Sequence, residues 1–312
     1  MTVLVVGAGI AGLACARELV DAGVPVQVVE RDRVVGGRLA SRRIDGRYAD
    51  LGAAYLTADD PSFQGRLDSW RLDGLATPWT DTLVAFDGSG PRPAPGPMRW
   101  SAPGGLRSLA EDLARELDVT CEFEITSLPP AAERTDPVVL AMPGPQAQRL
   151  IAMAAAAEQI WSPVLTAVLT YPQRVWADFH AAFVNDHPVL ASLCDDGDRR
   201  GDQAPVLVAH STGAFARPRL GDPAAAADDL ATAVAELLRI NEKPQVYVHR
   251  WTFALPEPRA GLFAREGDVY LAGDAFGKPR VQTAWLSGRA VAHDILRRTT
   301  PRSTTKPQST ER

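Results

Sequence analysis

The sequence contains few cysteines and lysines, no long apolar run and no excess of basic residues. Its three cysteines, Cys15, Cys121 and Cys194, are odd in number and widely spaced. This excludes a disulfide scaffold and a four-cysteine zinc site, and it predicts a reducing, cytoplasmic location. No apolar stretch reaches the roughly 18 residues that span a bilayer, so we expect no membrane segment. With 33 basic against 38 acidic residues the formal charge is −5, and nucleic-acid binding is therefore not expected.

The 312-residue chain exceeds the size at which one hydrophobic core usually stops growing, so we expect two domains. Buried-strand patterns occur near the start (2–6 and 24–30), in the middle (138–142) and near the end (269–272). Alternating runs within 161–255 predict an antiparallel sheet that is covered on one face. The order of these patterns predicts an α/β fold in which a discontinuous nucleotide-binding domain is interrupted by a second domain.

Prolines and the spacing of apolar residues indicate the secondary structure of the rest of the chain. The proline-rich stretch 91–97 cannot form a helix or a central strand, and we interpret it as a surface connection. Apolar residues at helical spacing predict helices at 106–117, 222–240 and 285–297. Residues 299–312 are mostly Thr, Ser, Pro and charged residues, and they are predicted to form a disordered tail.

A glycine fingerprint joins the first predicted strand to the first predicted helix. Gly7 permits a tight turn, Gly9 lets the backbone approach a diphosphate, and Gly12 allows close packing of helix on strand. The N–H groups and the dipole at the helix start favour a phosphate anion. Glu30 ends the second predicted strand, where a carboxylate can accept hydrogen bonds from both hydroxyls of a ribose. These residues predict an adenine dinucleotide site.

Two further motifs predict additional contacts to a bound dinucleotide. Gly36-Gly37-Arg38 follows Glu30 closely and offers a flexible backbone with a guanidinium that can bind a phosphate. Gly273-Asp274 lies between a short strand and the last helix. A carboxylate there can hold a polyol chain, and the next helix N-terminus can face an electron-rich ring carbonyl.

Together these three motifs resemble the FAD-dependent amine-oxidase superfamily. Local strings at 49–57, 138–146, 248–256 and 284–290 are similar to bacterial renalase-type oxidoreductases, and the resemblance runs from the first strand to the last helix. The implied architecture is an α/β, α+β two-domain fold, in which a Rossmann-like FAD-binding domain is interrupted by a substrate domain with a mixed or antiparallel sheet. We assign to the FAD-binding domain residues 1–56, 101–158 and 262–298, and to the substrate domain residues 57–100 and 159–261.

The resemblance also implies a cofactor and a reaction. Such proteins hold FAD non-covalently, and the late motif has no cysteine for a thioether link. Renalase-like enzymes oxidise the 2- and 6-dihydro isomers of NAD(P)H, pass hydride to flavin N5, and then reduce O2 to H2O2. Oxidation of a dihydropyridine to a pyridinium needs only loss of hydride, so positioning can suffice without a general base.

Amine oxidation makes different demands, because it needs a deprotonated amine. Many superfamily members place a lysine near N5, whereas this chain has only Lys243, Lys278 and Lys306. We therefore favour a dihydronicotinamide dinucleotide over an amine as the small-molecule substrate, with O2 as acceptor. A flavin amine oxidase and a flavin-bearing redox sensor without turnover remain the alternatives.

The motifs and the resemblance nominate site residues. Cofactor contacts are predicted at Gly7, Gly9, Ile10, Ala11, Gly12, Glu30, Arg31, Gly37, Arg38, Leu39, Gly52, Ala53, Gly273, Asp274, Thr283 and Ala284. Alternation along 246–253 puts His249, Trp251 and Phe253 on one face of a strand. We predict His249 and Trp251 as catalytic residues, and Tyr55, His210 and Phe253 as substrate contacts. The alternative for His249, Trp251 and Phe253 is that they simply pack the sheet on the domain below.

The remaining candidates are weaker. Arg217 and Arg219 can attract a dinucleotide's phosphates, although ordinary surface charge explains them better. No histidine or cysteine has metal-ligand spacing, so we predict no metal. The segment 211–215 lacks the tryptophan that renalase-like sequences carry after the histidine corresponding to His210, so the pocket wall differs at this point.

Overall fold

The computed structural model describes residues 1–299, and all of the predicted tail except Thr299 lies outside the described residues. The strands are β1 (Val3–Val6), β2 (Val26–Val29), β3 (Ser41–Ile44), β4 (Arg47–Asp50), β5 (Thr77–Asp87), β6 (Gly90–Ser101), β7 (Val119–Thr120), β8 (Val138–Leu140), β9 (Trp161–Thr170), β10 (Ala181–Val184), β11 (Leu190–Asp195), β12 (Val206–Ser211), β13 (Gln245–Pro256), β14 (Ala264–Glu266) and β15 (Val269–Leu271). The helices are α1 (Ile10–Asp21), α2 (Pro61–Leu72), α3 (Arg107–Ala114), α4 (Gly144–Ala147), α5 (Ala154–Ala157), α6 (Asp196–Arg200), α7 (Gly213–Ala216), α8 (Ala227–Leu238) and α9 (Val281–Thr299).

A six-stranded sheet gathers the buried strands from the start, middle and end of the chain. Its order is β14-β15-β8-β1-β2-β7, and every pair is parallel except β14 with β15. The strands are short valine- and leucine-rich runs because a parallel sheet is covered on both faces. This topology is the predicted discontinuous Rossmann-like arrangement.

Helices cover both faces of this sheet. One core contains apolar residues of α1, α2, α3 and α9, among them Leu13, Leu109 and Trp285. The opposite core lies beneath α4 and α5 and contains Leu140, Met153 and Leu271. The amino end of α1 and the loop before α9 are thereby held at the carboxyl edge of the sheet, where α/β proteins bind nucleotides.

A seven-stranded sheet forms the second layer. Its order is β13-β9-β12-β11-β10-β5-β6; β10 and β5 run parallel, and the other pairs run antiparallel. Its outer face packs on α8 through residues such as Leu165, Ala209 and Leu230. Its inner face packs on the β3–β4 hairpin through residues such as Val168 and Val208. The predicted fold class, including the mixed second sheet, is confirmed.

Two segments differ from the sequence prediction. The proline-rich stretch is not a surface connection: it lies in β6, whose residues 90–95 pair with β5 at the edge of the sheet, where an absent N–H on the open side costs no ladder bond. Trp100, near the end of β6, also bridges to Leu56. Helix α2 was not predicted, although Asp60 caps it and Pro61 occupies its first turn. Its residues Phe63, Leu67 and Trp70 pack in the core of the first layer, even though 57–100 was assigned to the substrate domain. The domain boundaries stay a prediction.

The observed helices lie where they were predicted, but their lengths differ from the prediction. Helix α9 begins four residues before the predicted start at 285 and continues to Thr299. The predicted helix 222–240 is a short 3-10 turn over Pro223–Ala226 followed by α8. Among residues 1–299, no helix is long and apolar enough to cross a membrane.

Candidate cofactor and substrate site

A cavity of about 1600 Å³ lies between the two layers. Pockets for small ligands usually measure about 300–1,000 Å³, so this one has room for a dinucleotide and a second molecule. Its floor comes from the carboxyl edge of the six-stranded sheet, and its roof comes from the inner face of the seven-stranded sheet.

The glycine fingerprint is packed as the sequence predicted. Gly7 has φ of +108°, which a residue with a side chain rarely adopts. A Cβ on Gly12 would lie 2.0 Å from the carbonyl oxygen of Gly7, whereas a Cβ on Gly9 would meet no atom within 4 Å. Helix α1 begins after Gly9 without a side-chain cap, and its first residues line the cavity. The uncapped helix start can therefore receive a diphosphate.

Glu30 is oriented by backbone donors. Its carboxylate accepts hydrogen bonds from the N–H groups of Ala8 at 2.7 Å and Asp32 at 3.0 Å. The residue is only 8% exposed, yet it lines the cavity. This geometry fixes a carboxylate beside the glycine turn, where the ribose of a dinucleotide would lie.

The second and third motifs meet in a bidentate ion pair. Arg38 donates from its two terminal nitrogens to Asp274 at 2.7 and 2.6 Å. It also donates to the Ala254 carbonyl at 3.1 Å, and its guanidinium lies 5.0 Å from the ring centroid of Trp161. Through the Ala254 contact the pair joins both layers at the cavity wall. Arg38 and Asp274 are 236 positions apart, so their spacing in the sequence does not indicate the contact.

The Leu51 carbonyl anchors the predicted Gly52–Ala53 contact segment to the roof. It accepts hydrogen bonds from Thr166 Oγ1 at 2.8 Å, Trp251 Nε1 at 2.9 Å and His210 Nε2 at 3.2 Å. These side chains come from three neighbouring strands of the roof. The segment from Leu51 to Tyr55 is therefore fixed against the inner face of the sheet.

His210 is satisfied on both ring nitrogens and still faces the cavity. Because a carbonyl oxygen only accepts, Nε2 carries the hydrogen toward Leu51, and Nδ1 can accept from Ser192 Oγ at 3.2 Å. Burial lowers the pKa of His210, which keeps the ring neutral near pH 7. A neutral imidazole that forms a hydrogen bond at each ring nitrogen is suited to line the cavity in a fixed orientation rather than to act as a general base.

His249 and Trp251 face the same side of β13. Tyr247 and Trp251 contact the β3–β4 side, whereas Val246 and Val248 pack toward α8, as the alternation predicted. The rings of His249 and Trp251 meet edge to face, with centroids 4.4 Å apart. Burial, with the nearby charge of Arg42, lowers the pKa of His249.

Most of the nominated residues line the cavity. These are Gly7, Gly9, Ile10, Ala11, Glu30, Arg31, Gly37, Arg38, Leu39, Gly52, Ala53, Gly273, Asp274 and Ala284, together with Tyr55, His210, His249, Trp251 and Phe253. Gly12 lies behind the wall, against Gly7. Thr283 also does not line it and donates to the Lys278 carbonyl at 2.6 Å. The roles of all these residues stay predictions.

The roof beside Tyr55 is apolar. Leu83, Ala181 and Cys194 form a small buried cluster against Tyr55 and Trp79. Burial raises the pKa of Cys194 to about 11, so the one cysteine at the described cavity wall is a neutral thiol. That state fits a flavin held without a covalent link.

The charge of the cavity is opposite to that of the chain. Nine arginines and four carboxylates line it, whereas the whole sequence has a net charge of −5. No lysine lines it among the described residues: Lys278 and Lys243 are exposed elsewhere. Such a cationic cavity favours anionic ligands.

Arg199 is a further site residue, which was not predicted from the sequence. It is 4% exposed and donates to the Ala54 carbonyl at 2.8 Å. It also pairs with Asp50 at 3.2 Å and with Asp196. This buried arginine clamps both ends of the segment that carries Gly52 and Ala53, and nothing in the local sequence of α6 signals that role.

Comparison with known proteins agrees with this geometry. The model of the NAD(P)-binding Rossmann-like domain matches residues 5–70, and the model of flavin containing amine oxidoreductase matches residues 100–296. The chain belongs to the flavin-containing amine oxidoreductase family. The predicted superfamily is thus confirmed, and so is the expectation of an FAD-dependent oxidoreductase.

Curated relatives match a short part of the chain. Putrescine oxidase of Kocuria rosea is 44% identical over 72 residues, which are 23% of this chain and 15% of that protein. L-amino-acid oxidase of Siganus canaliculatus is 45% identical over 64 residues, or 20% of this chain and 12% of that protein. The matched segments thus cover less than a sixth of these relatives' lengths.

Solved structures resemble nearly the whole chain. Cyclohexylamine oxidase from Brevibacterium oxydans IH-35A superposes with a TM-score of 0.74 at 14% identity, covering 95% of this chain and 99% of that one. Putrescine oxidase bound to putrescine gives 0.69 at 15% identity, with 95% and 99% covered. At these identities the likeness shows the fold.

FAD is the cofactor, and the cavity fits it. The open space at Gly9, the uncapped start of α1 and the fixed Glu30 carboxylate suit its adenosine diphosphate half. The fixed segment around Gly52 and Ala53 and the apolar roof suit its ring system. The cavity volume and its excess of arginines leave room and charge for a further anionic ligand.

Proposed function

We propose that the protein is a renalase-type oxidoreductase that oxidises dihydronicotinamide dinucleotides, the 2- and 6-dihydro isomers of NAD(P). Bound FAD would supply hydride acceptance at N5 and reoxidation by O2 to give H2O2. The observation that carries the proposal is the charge of the cavity, which nine arginines and four carboxylates line. Arg33, Arg107 and Arg280 pair with carboxylates outside the lining, and a smaller excess of positive charge remains. A dinucleotide brings negative phosphates to such a cavity, whereas an amine brings a cation.

The four carboxylates do not offer an ammonium group a binding site over Tyr55. Glu30 is held by two backbone donors, and Asp274 is paired with Arg38. Asp32 and Glu124 belong to the loops beside Glu30 and after β7. A cationic substrate next to the apolar roof would lose its hydration without gaining a counter-charge, which is costly.

The side chains around Tyr55 favour a reaction without proton abstraction. His210 is neutral and bonded on both nitrogens, Cys194 is a neutral thiol, and no described lysine lines the cavity. Loss of hydride from a dihydropyridine needs no base, because the aromatic pyridinium forms directly. The chain then acts by stacking, positioning and exclusion of water.

Different residues of the cavity would exclude water, fix the neighbouring backbone and bind the substrate. The apolar cluster of Leu83, Ala181 and Cys194, with Tyr55 packed against it, would exclude water from the face of a bound dihydropyridine. Hydrogen bonds from Thr166, His210 and Trp251 to Leu51 hold the adjoining segment still. The ring nitrogens of His249 have no hydrogen-bond partner among residues 1–299, so they can bond a polar group of the substrate.

Amine oxidation is the second candidate, favoured by the names of the relatives. The curated putrescine oxidase and the cyclohexylamine oxidase structure act on amines according to their names. A parallel peroxide assay separates the candidates: the holoenzyme is incubated in air with a panel of primary, secondary and diamines, or with borohydride-reduced NAD+, a mixture of dihydro isomers. We expect peroxide from the reduced NAD+ alone. Peroxide from an amine, with none from the reduced NAD+, would reverse the assignment.

A further inference from the structure

Arg42 is a cation without a counter-charge at the cavity wall. Its guanidinium lies 4.5 Å from the ring centroid of Tyr247, and Nη1 donates to the Tyr247 hydroxyl at 2.6 Å. Arg42 is exposed, lines the cavity and forms no ion pair with any residue in 1–299. Most of its five N–H donors are therefore available to an anionic ligand.

His249 completes a small group of donors beside Arg42. It shares the inner face of β13 with Tyr247 and Trp251 and packs edge to face on Trp251. Arg42 is near enough for its charge to lower the pKa of His249, while the carboxylate of Asp32, itself 3.9 Å from Arg31, acts in the opposite sense. Tyr247, which holds Arg42, is two residues from His249 on the same face of β13, roughly 7 Å along the strand, and both Arg42 and His249 line the cavity.

Arg42 and Arg38 contact β13 at different points along the strand, Arg42 at Tyr247 and Arg38 near Ala254. Arg38 reaches β13 at the Ala254 carbonyl, close to Asp274 and the glycine motifs. His249 lies five residues earlier on the strand, which corresponds to roughly 15 Å at the usual rise of an extended chain. FAD has a single diphosphate, so a cationic position this far away suits a second phosphate-bearing molecule.

The sheet register connects the group to the apolar roof. His249 is opposite Thr166 on β9, and Thr166 is opposite His210 on β12. His249 and His210 are therefore two strand spacings apart, about 10 Å. A dihydropyridine held near His210 and Tyr55 can extend its ribose and diphosphate across β9 toward His249 and Arg42.

We propose that Arg42 and His249 form a subsite that binds the diphosphate of the dinucleotide substrate. Arg42 supplies the charge and a planar donor pair, Tyr247 holds the guanidinium in place, and His249 donates a further hydrogen bond. The assignment rests on the proposed function, because it names how that substrate is recognised. It also replaces Arg217 and Arg219 as phosphate candidates, since neither lines the cavity and Arg219 pairs with Asp229.

The first test uses ADP-ribose, which carries the diphosphate without the nicotinamide, and measures its binding to the holoenzyme by titration calorimetry. Arg42→Gln should weaken binding about tenfold or more, as expected for a charge-assisted hydrogen bond. Arg217→Gln removes the same charge from an exposed position outside the cavity and should bind like the wild type. Wild-type protein that binds no ADP-ribose, or Arg42→Gln protein that binds it unchanged, would overturn the subsite.

The second test shows whether Arg42 binds the substrate or the cofactor. It also distinguishes failure of the subsite proposal from failure of the proposed function. In anaerobic flavin reduction, Arg42→Gln should raise the half-saturating concentration of borohydride-reduced NAD+ about tenfold and leave that of borohydride-reduced nicotinamide riboside unchanged. Loss of FAD from Arg42→Gln, with equal effects on both reductants, would assign the arginine to the cofactor and overturn the inference. If no reductant bleaches the wild type but ADP-ribose binding depends on Arg42, the anion subsite stands and the proposed reaction fails.

Discussion

Gly9 and Gly12 belong to one fingerprint but should respond differently to the same added methyl group. A Cβ on Gly12 would lie 2.0 Å from the Gly7 carbonyl oxygen and 3.0 Å from Ala141 Cβ, whereas ordinary contact begins at 3.4 Å. The helix would have to move away from the turn by about 1.4 Å, and overpacking of this kind costs about 3 kcal/mol. The better helix propensity of alanine returns about 1 kcal/mol. We expect Gly12→Ala to destabilise the apoprotein by about 2 kcal/mol.

Gly9→Ala is the matched variant. Its Cβ would point into open space, and the backbone φ of −75° suits alanine, so the apoprotein should keep its stability within about 0.5 kcal/mol. The methyl would instead occupy the approach to the diphosphate and weaken FAD binding about tenfold or more, equivalent to about 1.4 kcal/mol. Denaturant unfolding of the apoproteins and fluorescence titration with FAD measure the two effects. Equal loss of stability in both variants, or a fully stable Gly12→Ala apoprotein, would refute the reasoning.

Three further predictions address the carboxylate, the buried clamp and pH. Glu30→Ala should purify with less FAD, measured as the 450/280 nm absorbance ratio; a fully yellow variant would contradict the ribose contact. Arg199→Met should destabilise the protein by about 1–3 kcal/mol because it removes a buried cation from Asp50 and Asp196, which Arg200 still pairs, and Arg199→Lys by less; equal unfolding midpoints for these variants and the wild type would exclude the clamp. Because the folded pKa of His210 lies below its ordinary value of 6.5, the unfolded chain binds more protons between those two values, so stability should fall as pH drops through 6.5. His210→Gln should flatten that fall in urea unfolding at pH 7.5 and 5.5, and an unchanged pH dependence would rule out this assignment.

The local motifs were predictable because each is contained in one short segment. The spacing of Gly7, Gly9 and Gly12 requires a strand, a turn and a helix, and Glu30 follows at the end of the next strand. Alternation on β13 likewise indicated which side chains share a face, because side-chain direction in a strand has a fixed period of two. These predictions depend on neighbours in sequence rather than on partners elsewhere in the fold.

The remaining features depend on partners distant in sequence. Arg38 meets Asp274 across 236 positions, and Arg199 reaches Ala54 across 145, so no local pattern signals either contact. The proline-rich segment became a strand because β5 offers it an edge, which proline tolerates. By contrast, Asp60 and Pro61 are a helix start signal contained in the local sequence of α2.

Anaerobic rapid mixing tests the central claim most directly. The purified holoenzyme is mixed with borohydride-reduced NAD+ in the absence of oxygen, and the flavin absorbance near 450 nm is followed. We predict bleaching within seconds, followed by full recovery and formation of peroxide when air is admitted. A flavin that keeps its oxidised spectrum in this mixture, while dithionite reduces it normally, would contradict hydride transfer from dihydronicotinamides.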